Sequence, residues 1–69
     1  MQKWEYLFVT PYGSGGPKEL FYPRWINGVE QKNWDKGVTI YQYTAQLGND
    51  GWDLGGVWGG NLIFKREKS

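Results

Sequence analysis

Apolar side chains near the start of the chain follow the two-residue period of a β-strand. Aromatic and β-branched residues dominate residues 3 to 10 and Pro11 ends the run, so we predict the first strand there. Apolar residues occupy both faces of this strand, so we expect the helix to cover one face and a partner subunit the other. The first face would carry Trp4, Tyr6 and Phe8, and the second Glu5, Leu7 and Val9.

Residues 39 to 52 change to the spacing of a helix. Ile40, Tyr43 and Leu47 recur at helical intervals, and Thr39 followed by Gln42 is a capping-box signature. We therefore place a single helix near residues 40 to 50.

Glycine marks the end of this helix. Gly51 fits the position just past the last turn, where a left-handed backbone costs glycine almost nothing, and Asp50 would be the C-cap. Leu47 and Trp52 would then make the hydrophobic contact of a Schellman ending. Gly48 costs about 1 kcal/mol relative to alanine inside a helix, so we expect a strand to cross closely over it.

A hairpin is predicted around Asn27-Gly28, because a type I′ turn needs positive φ at both central positions. Its strands would be residues 21 to 26 and 29 to 34, forming an appendage to the main body. Pro23 cannot donate to a ladder, so its strand should be an edge at that point or start late.

Residues 52 to 58 and 62 to 67 form a second predicted strand pair. The two glycines in its first strand, Gly55 and Gly56, indicate a bulge, a bend, or the close approach of another backbone.

These elements predict a small α+β fold: an antiparallel sheet of about three to five strands with a single α-helix packed on one face, in the order β, β-hairpin, α, β, β. Residues 1 to 69 form one compact domain, with a flexible loop at 11 to 19 and the hairpin elaboration at 20 to 35. We expect the helix to pack onto the sheet face that carries Trp4, Tyr6, Phe8, Trp52, Leu54 and Phe64.

Composition points to self-association. A chain of 69 residues buries only about 60 % of its unfolded surface, and this one has no cysteine or histidine to build a disulfide framework or a Cys/His zinc site. Aromatic residues make up 19 % of the chain, more than one small core encloses, so the surplus indicates a subunit interface or a binding platform. No apolar run has the length of a signal peptide or a membrane span, and we expect a soluble, cytoplasmic protein with no membrane contact.

Three segments carry a resemblance to a known family: Lys3-Trp4-Glu5-Tyr6, Leu47-Gly48-x-x-Gly51-Trp52-Asp53-Leu54, and Ile63-Phe64-Lys65-Arg66. In these segments the chain resembles the family catalogued as domain of unknown function 4177, small bacterial and phage-type proteins with a W-E-Y strand, an L-G-x-x-G-W-E-L turn and an F-K-R strand. Asp53 stands where that family usually has glutamate, and Gly55-Gly56 where larger apolar residues are common. The resemblance implies a compact α+β fold and carries no activity with it.

Catalysis is not expected. Nucleophilic triads need a base, usually histidine, and the chain has no histidine or cysteine. The glycine-rich stretch at residues 11 to 18 lacks the spacing of a phosphate-binding loop, because Pro17 precedes Lys18 and Glu19 stands at the hydroxyl position. An alternative is a small metal-dependent enzyme around Asp50 and Asp53. We expect no cofactor and no resident metal.

The favoured hypothesis is an interaction module without catalytic activity that forms a dimer or larger homo-oligomer, or binds another protein, through one sheet face. The interface candidates are Leu7, Val9, Val57 and Ile63.

A second hypothesis is single-stranded nucleic-acid binding through aromatic and basic residues of the hairpin. The candidates for this platform are Trp25, Trp34, Arg24 and Lys32. Eight basic residues are nearly balanced by seven acidic ones, and a net charge of +1 makes this partner the less favoured.

Overall fold

A computed structural model describes residues 2–13, 15 and 20–68 of the chain. The described elements are, in order, β1 (Lys3–Gly13), β2 (Phe21–Ile26), β3 (Val29–Glu30), a 3₁₀ turn (Trp34–Lys36), α1 (Ile40–Asn49), β4 (Asp53–Trp58) and β5 (Asn61–Lys68). The five strands form one antiparallel sheet in the order β3-β2-β1-β5-β4, so the predicted α+β class and the single helix are confirmed.

Both ends of α1 have the predicted hydrogen bonds. The Thr39 hydroxyl accepts the Gln42 amide at 3.3 Å, and the Thr39 amide donates to Gln42 Oε1 at 3.0 Å, which completes the capping box. At the other end the Trp52 amide donates to the Leu47 carbonyl at 2.9 Å and Gly51, at φ 87°, donates to Gly48. These two bonds are the Schellman pair, so the helix begins and ends where the sequence predicts.

The predicted close crossing over Gly48 is wrong. A Cβ built on Gly48 would meet nothing within 4 Å, and the residue is exposed. Packing within the described part of the chain therefore does not require a glycine at position 48.

The core lies on the opposite sheet face from the one predicted. Its buried residues are Val9, Ile40, Leu47 and Phe64, with Leu7, Tyr43, Trp52 and Leu62 packed against them. Residues directly opposite in an antiparallel pair share a face, and Leu7 pairs with Phe64 and Val9 with Leu62, so α1 covers the Leu7 and Val9 face of β1.

The helix-packing prediction is therefore correct for the helix and wrong for most of the sheet. Ile40, Tyr43 and Leu47 face the core, and Trp52 and Phe64 join them. The other predicted core residues lie 39 % to 58 % exposed. These are Trp4, Tyr6, Phe8 and Leu54.

β2 is an integral part of the sheet, which corrects the expectation of a hairpin appendage. Its register pairs Val9 with Ile26 and Thr10 with Trp25, followed by an irregularity and the pair Pro11 with Pro23. Residues 11 to 13, where we expected the loop to begin, instead continue β1. Residues 14 and 16–19 of the predicted loop lie outside the described residues. Within the described part of the chain Pro23 has no strand on its other side, as predicted, since β3 pairs only with Trp25 and Ile26.

The hairpin turn has the predicted conformation. Asn27 and Gly28 have φ of 51° and 79°, both positive as a type I′ turn requires. Asn27 also holds β1: its Oδ1 accepts the Phe8 amide at 2.9 Å and its own amide donates to the Phe8 carbonyl at 2.7 Å. The second hairpin strand is shorter than predicted, because the chain leaves the ladder after Glu30.

β4 contains a bulge at its glycines. Leu54 pairs with Phe64 and Gly56 with Ile63, which leaves Gly55 as the extra residue. A bulge of this kind was one of the three outcomes expected for the two glycines. It changes which side chains of β4 share a face, because the alternation along the strand is interrupted once.

Candidate functional site

The sheet face not covered by α1 exposes several large apolar side chains. Cross-strand pairs place its side chains in rows: Tyr6, Lys65 and Asp53 form one row, and Phe8, Ile63 and Gly56 the next. A further row contains Trp25, Thr10, Asn61 and Trp58. We call this surface the helix-free face.

A ridge of three aromatic side chains runs along β1 on the helix-free face. Trp4, Tyr6 and Phe8 are 40 %, 56 % and 39 % exposed. They recur at every second residue, so they form one continuous line instead of scattered single residues. Large contiguous apolar surface of this kind marks interaction sites in soluble proteins.

β4 has a strip without side chains on the far side of β5 from this ridge, and we call this strip the glycine groove. It is formed by Gly55 and Gly56 of β4, where a Cβ on Gly56 would meet nothing within 4 Å. The Lys65 side chain borders the groove at Gly55, and Trp58, 71 % exposed, stands at its end. The helix-free face thus combines a raised aromatic line with a strip that lacks side chains.

Charged groups border the ridge. Lys65 lies opposite both Tyr6 and Asp53, and its Nζ is 4.9 Å from the centre of the Trp4 ring, which is a cation–π distance. Glu67 pairs with Trp4 at the end of the sheet. Lys65 therefore lies within the helix-free face, between β1 and β4, and Glu67 lies at its end.

The structure separates the four predicted interface residues. Val9 is fully buried and Leu7 is partly buried against the core, because the helix covers the opposite face from the one expected. Val57 is 67 % exposed at the sheet edge on the helix side, and Ile63 lies on the helix-free face opposite Phe8.

Three of the four predicted nucleic-acid platform residues come together around Arg24. Its guanidinium carbon lies 4.6 Å, 4.5 Å and 4.8 Å from the ring centres of Tyr12, Trp25 and Trp34. Its Nε also donates to Glu30 Oε2 at 2.8 Å. Three rings and one carboxylate of its own chain therefore contact the guanidinium, and the rings occupy surfaces on which a base would stack, although the side chain stays 26 % exposed.

The fourth platform residue, Lys32, borders a different feature. It lines a cleft of about 180 Å³ between the 3₁₀ turn, β2 and Tyr43 of the helix. This cleft is smaller than the roughly 300 Å³ at which small-molecule pockets begin.

The structure does not bring Asp50 and Asp53 together. Asp50 lies at a shallow polar depression with Glu5 and Arg66, on the helix side of the sheet. Asp53 pairs with Lys65 on the helix-free face. Among residues 2–13, 15 and 20–68 no group of three or more acidic side chains is placed to hold a metal ion.

Arg66 explains the polar depression as a structural feature. It donates to Glu5 Oε1 at 2.5 Å and to the Asp50 carbonyl at 2.9 Å, and its guanidinium carbon is 4.4 Å from the centre of the Trp52 ring. Arg66 thereby joins β1, β5 and the end of α1. Glu5 and Arg66 lie on the helix side of the sheet, whereas Asp53 and Lys65 lie on the helix-free face.

Sequence reasoning missed two parts of these surfaces. Tyr12 falls in the predicted loop, yet it packs edge-to-face on Trp34 with ring centres 5.5 Å apart. The groove at Gly55 and Gly56 was identified as a backbone feature and not as part of a binding surface. The available signal was the glycine pair within a strand whose other residues are large and apolar.

Comparisons of the chain with protein-family models, with curated proteins and with solved structures found no match. The resemblance to the domain of unknown function 4177 family therefore stays a prediction. In the described part of the chain, no helix is long and apolar enough to cross a membrane.

Proposed function

We propose that this chain is a small interaction module that self-associates by packing its helix-free face on the same face of a second copy. The observation that supports this most directly is the exposed aromatic ridge of Trp4, Tyr6 and Phe8 on an uncovered sheet face. Stacked sheets pack about 10 Å apart with their inner side chains interdigitated. A second copy packed in this way would cover the helix-free face.

The ridge and the groove make the face complementary to itself. The ridge lies on β1 and the groove on β4, one on each side of β5. A two-fold axis parallel to β5, running between two copies, would place β1 of one copy over β4 of the other. Phe8 of each copy then lies over Gly56 of its partner and Tyr6 lies over Asp53, so both ridges are covered at these two positions.

The size of the face sets the expected strength. At a rise of about 3.4 Å per residue and a strand spacing of about 4.8 Å, the flat outline of the five strands has an area of about 500 Å². A standard interface buries about 800 Å² per partner, so this face alone corresponds to a small one. We therefore expect association that weakens on dilution, and not a permanent dimer.

A charge placed on the ridge tests this proposal. Tyr6→Lys would put an ammonium group directly opposite Lys65 in the centre of the buried face, so we expect the associated form to be lost. The matched control is Tyr41→Lys, because Tyr41 is 68 % exposed on the outer side of the helix and should tolerate the same change without effect on mass.

The readout is molar mass by light scattering, with circular dichroism to show that both variants are folded. Loss of association in Tyr6→Lys but not in Tyr41→Lys supports the helix-free face. Equal masses for the two variants and the unaltered chain would show that this face is not the interface.

We do not propose nucleic-acid binding as a second function, because Arg24 is already held by Tyr12, Trp25, Trp34 and Glu30. No observation favours a metal-dependent reaction at Asp50 and Asp53 either, since they lie on opposite sides of the sheet.

A further inference from the structure

The two edges of the sheet differ sharply. At one edge β3 is only two residues long and carries the Arg24–Glu30 ion pair beside it, and the chain then turns away. At the other edge β4 has six residues, with Asp53 as its single charge and no lysine or proline. Short strands, charges and prolines are the usual devices that protect an edge, and β4 has only its bulge and Asp53.

Three apolar side chains of β4 are largely exposed. Leu54, Val57 and Trp58 are 58 %, 67 % and 71 % exposed. Leu54 pairs with Phe64 and Val57 with Leu62, so both point to the helix side of the sheet. They stay uncovered there because α1 makes its main strand contacts with β2, toward the far edge.

The bulge makes β4 complementary to its own copy. Leu54 and Val57 are three residues apart and would lie on opposite faces of a regular strand, but the extra residue at Gly55 puts them on the same face. In an antiparallel pair of two β4 strands about a two-fold axis, Leu54 can therefore lie opposite Val57 of the other copy. The same register sets Gly55 opposite Gly56 and Asp53 opposite Trp58.

We infer that β4 pairs antiparallel with β4 of a second copy, in the register that sets Leu54 opposite the partner's Val57, and joins two sheets into one. The exposed Leu54 and Val57 of both copies then form a small apolar cluster across the seam. The matched bulges face each other, so neither strand has to straighten. This contact uses the edge, and it is separate from the face-to-face packing proposed above.

Disulfide cross-linking tests the register directly, because the chain has no cysteine of its own. Leu54→Cys and Val57→Cys chains are mixed in equal amounts, oxidised mildly and analysed by intact mass, which separates the mixed product from the two homodimers. In the proposed register the mixed pair lies within the roughly 7 Å limit between Cα atoms. Identical positions are offset by three residues, about 10 Å along the strand.

We expect the mixed disulfide to reach about five times the amount of either homodimer, against about twice for random pairing of accessible thiols. The matched control replaces one partner by Tyr41→Cys, which is equally exposed on the helix and should give only the random ratio. A random ratio for the Leu54→Cys and Val57→Cys mixture, or an excess of either homodimer, would overturn the inferred register.

The same cross-linking in a Tyr6→Lys background separates the two contacts. An excess of the mixed disulfide that persists in this background supports edge pairing independently of the helix-free face. If the excess disappears there, edge pairing is not an independent contact and the inference fails as stated, whereas the face-to-face proposal stands on its mass measurement alone.

Discussion

Leu47 is the residue that ties the helix to the sheet. It is 6 % exposed in the core with Val9, Ile40 and Phe64, and its carbonyl also accepts the Trp52 amide that closes the helix. With four buried apolar residues in the described core, each one carries a large share of the stability.

Truncating this side chain tests the core assignment. We expect Leu47→Ala to lower the free energy of unfolding by about 2 to 5 kcal/mol, through lost burial and the cavity left behind. Leu20→Ala is the matched control, because Leu20 is 44 % exposed, and we expect it to cost less than about 1 kcal/mol. Urea unfolding measures both; a cost below about 1 kcal/mol for Leu47→Ala would show that the core lies elsewhere.

Tyr43 gives the core a dependence on alkaline pH. It packs against the core from the helix, and burial raises the pKa of its phenol above the ordinary value of 10.0. The folded state therefore disfavours the tyrosinate, so its stabilising contribution is intact below pH 10 and is lost as the pH rises from 10 through the raised pKa.

We expect Tyr43→Phe to remove this pH dependence of stability, because phenylalanine has no phenol to titrate. Urea unfolding between pH 8 and pH 11 should show the unaltered chain losing stability relative to Tyr43→Phe as the pH passes about 10. A constant difference between the two across that range would show that Tyr43 titrates alike in the folded and unfolded chains.

At the scale of the elements, two glycines near the end of α1 have opposite roles. Gly51 has φ of 87°, where a side chain costs about 1 to 2 kcal/mol. Gly48 lies within the helix with open space around it, where alanine is favoured by about 1 kcal/mol.

We therefore expect replacement of glycine by alanine to change stability in opposite directions at these two positions, which are three residues apart. Gly51→Ala should lower the urea midpoint and Gly48→Ala should raise it. A loss of stability in Gly48→Ala would indicate a close neighbour over the helix, as the sequence had suggested.

The helix could be predicted at both ends because its signals are local. The capping box spans Thr39 to Gln42 and the Schellman ending spans Leu47 to Trp52, so neither depends on the rest of the chain. The turn at Asn27-Gly28 was predicted for the same reason, since glycine and asparagine tolerate positive φ.

The covered face of the sheet could not be predicted from β1. Both of its faces carry apolar residues, and the choice depends on which residues of β5 lie opposite. Phe64 and Leu62 pair with Leu7 and Val9, and this register comes from a contact more than fifty residues away in the chain. The interface residues could not be predicted for the same reason, because their selection depended on which sheet face the helix covers.

At the scale of the whole molecule, the described sheet has one face partly covered by α1, one open face, and an edge strand, β4, that only its bulge and Asp53 protect. A single helix of ten residues covers part of one side, toward β2. The open face and the β4 edge together offer two separate contacts to further copies, and both contacts leave the helix outside. Closed assemblies built from two different two-fold contacts are common among soluble oligomers.

Molar mass by light scattering across a dilution series, from about 1 mM to about 1 µM, tests self-association most directly. We predict a mass above that of the 8.0 kDa chain at the high end, falling toward it on dilution as expected for a small interface. A mass of 8.0 kDa at every concentration would contradict self-association through the face and through the edge alike.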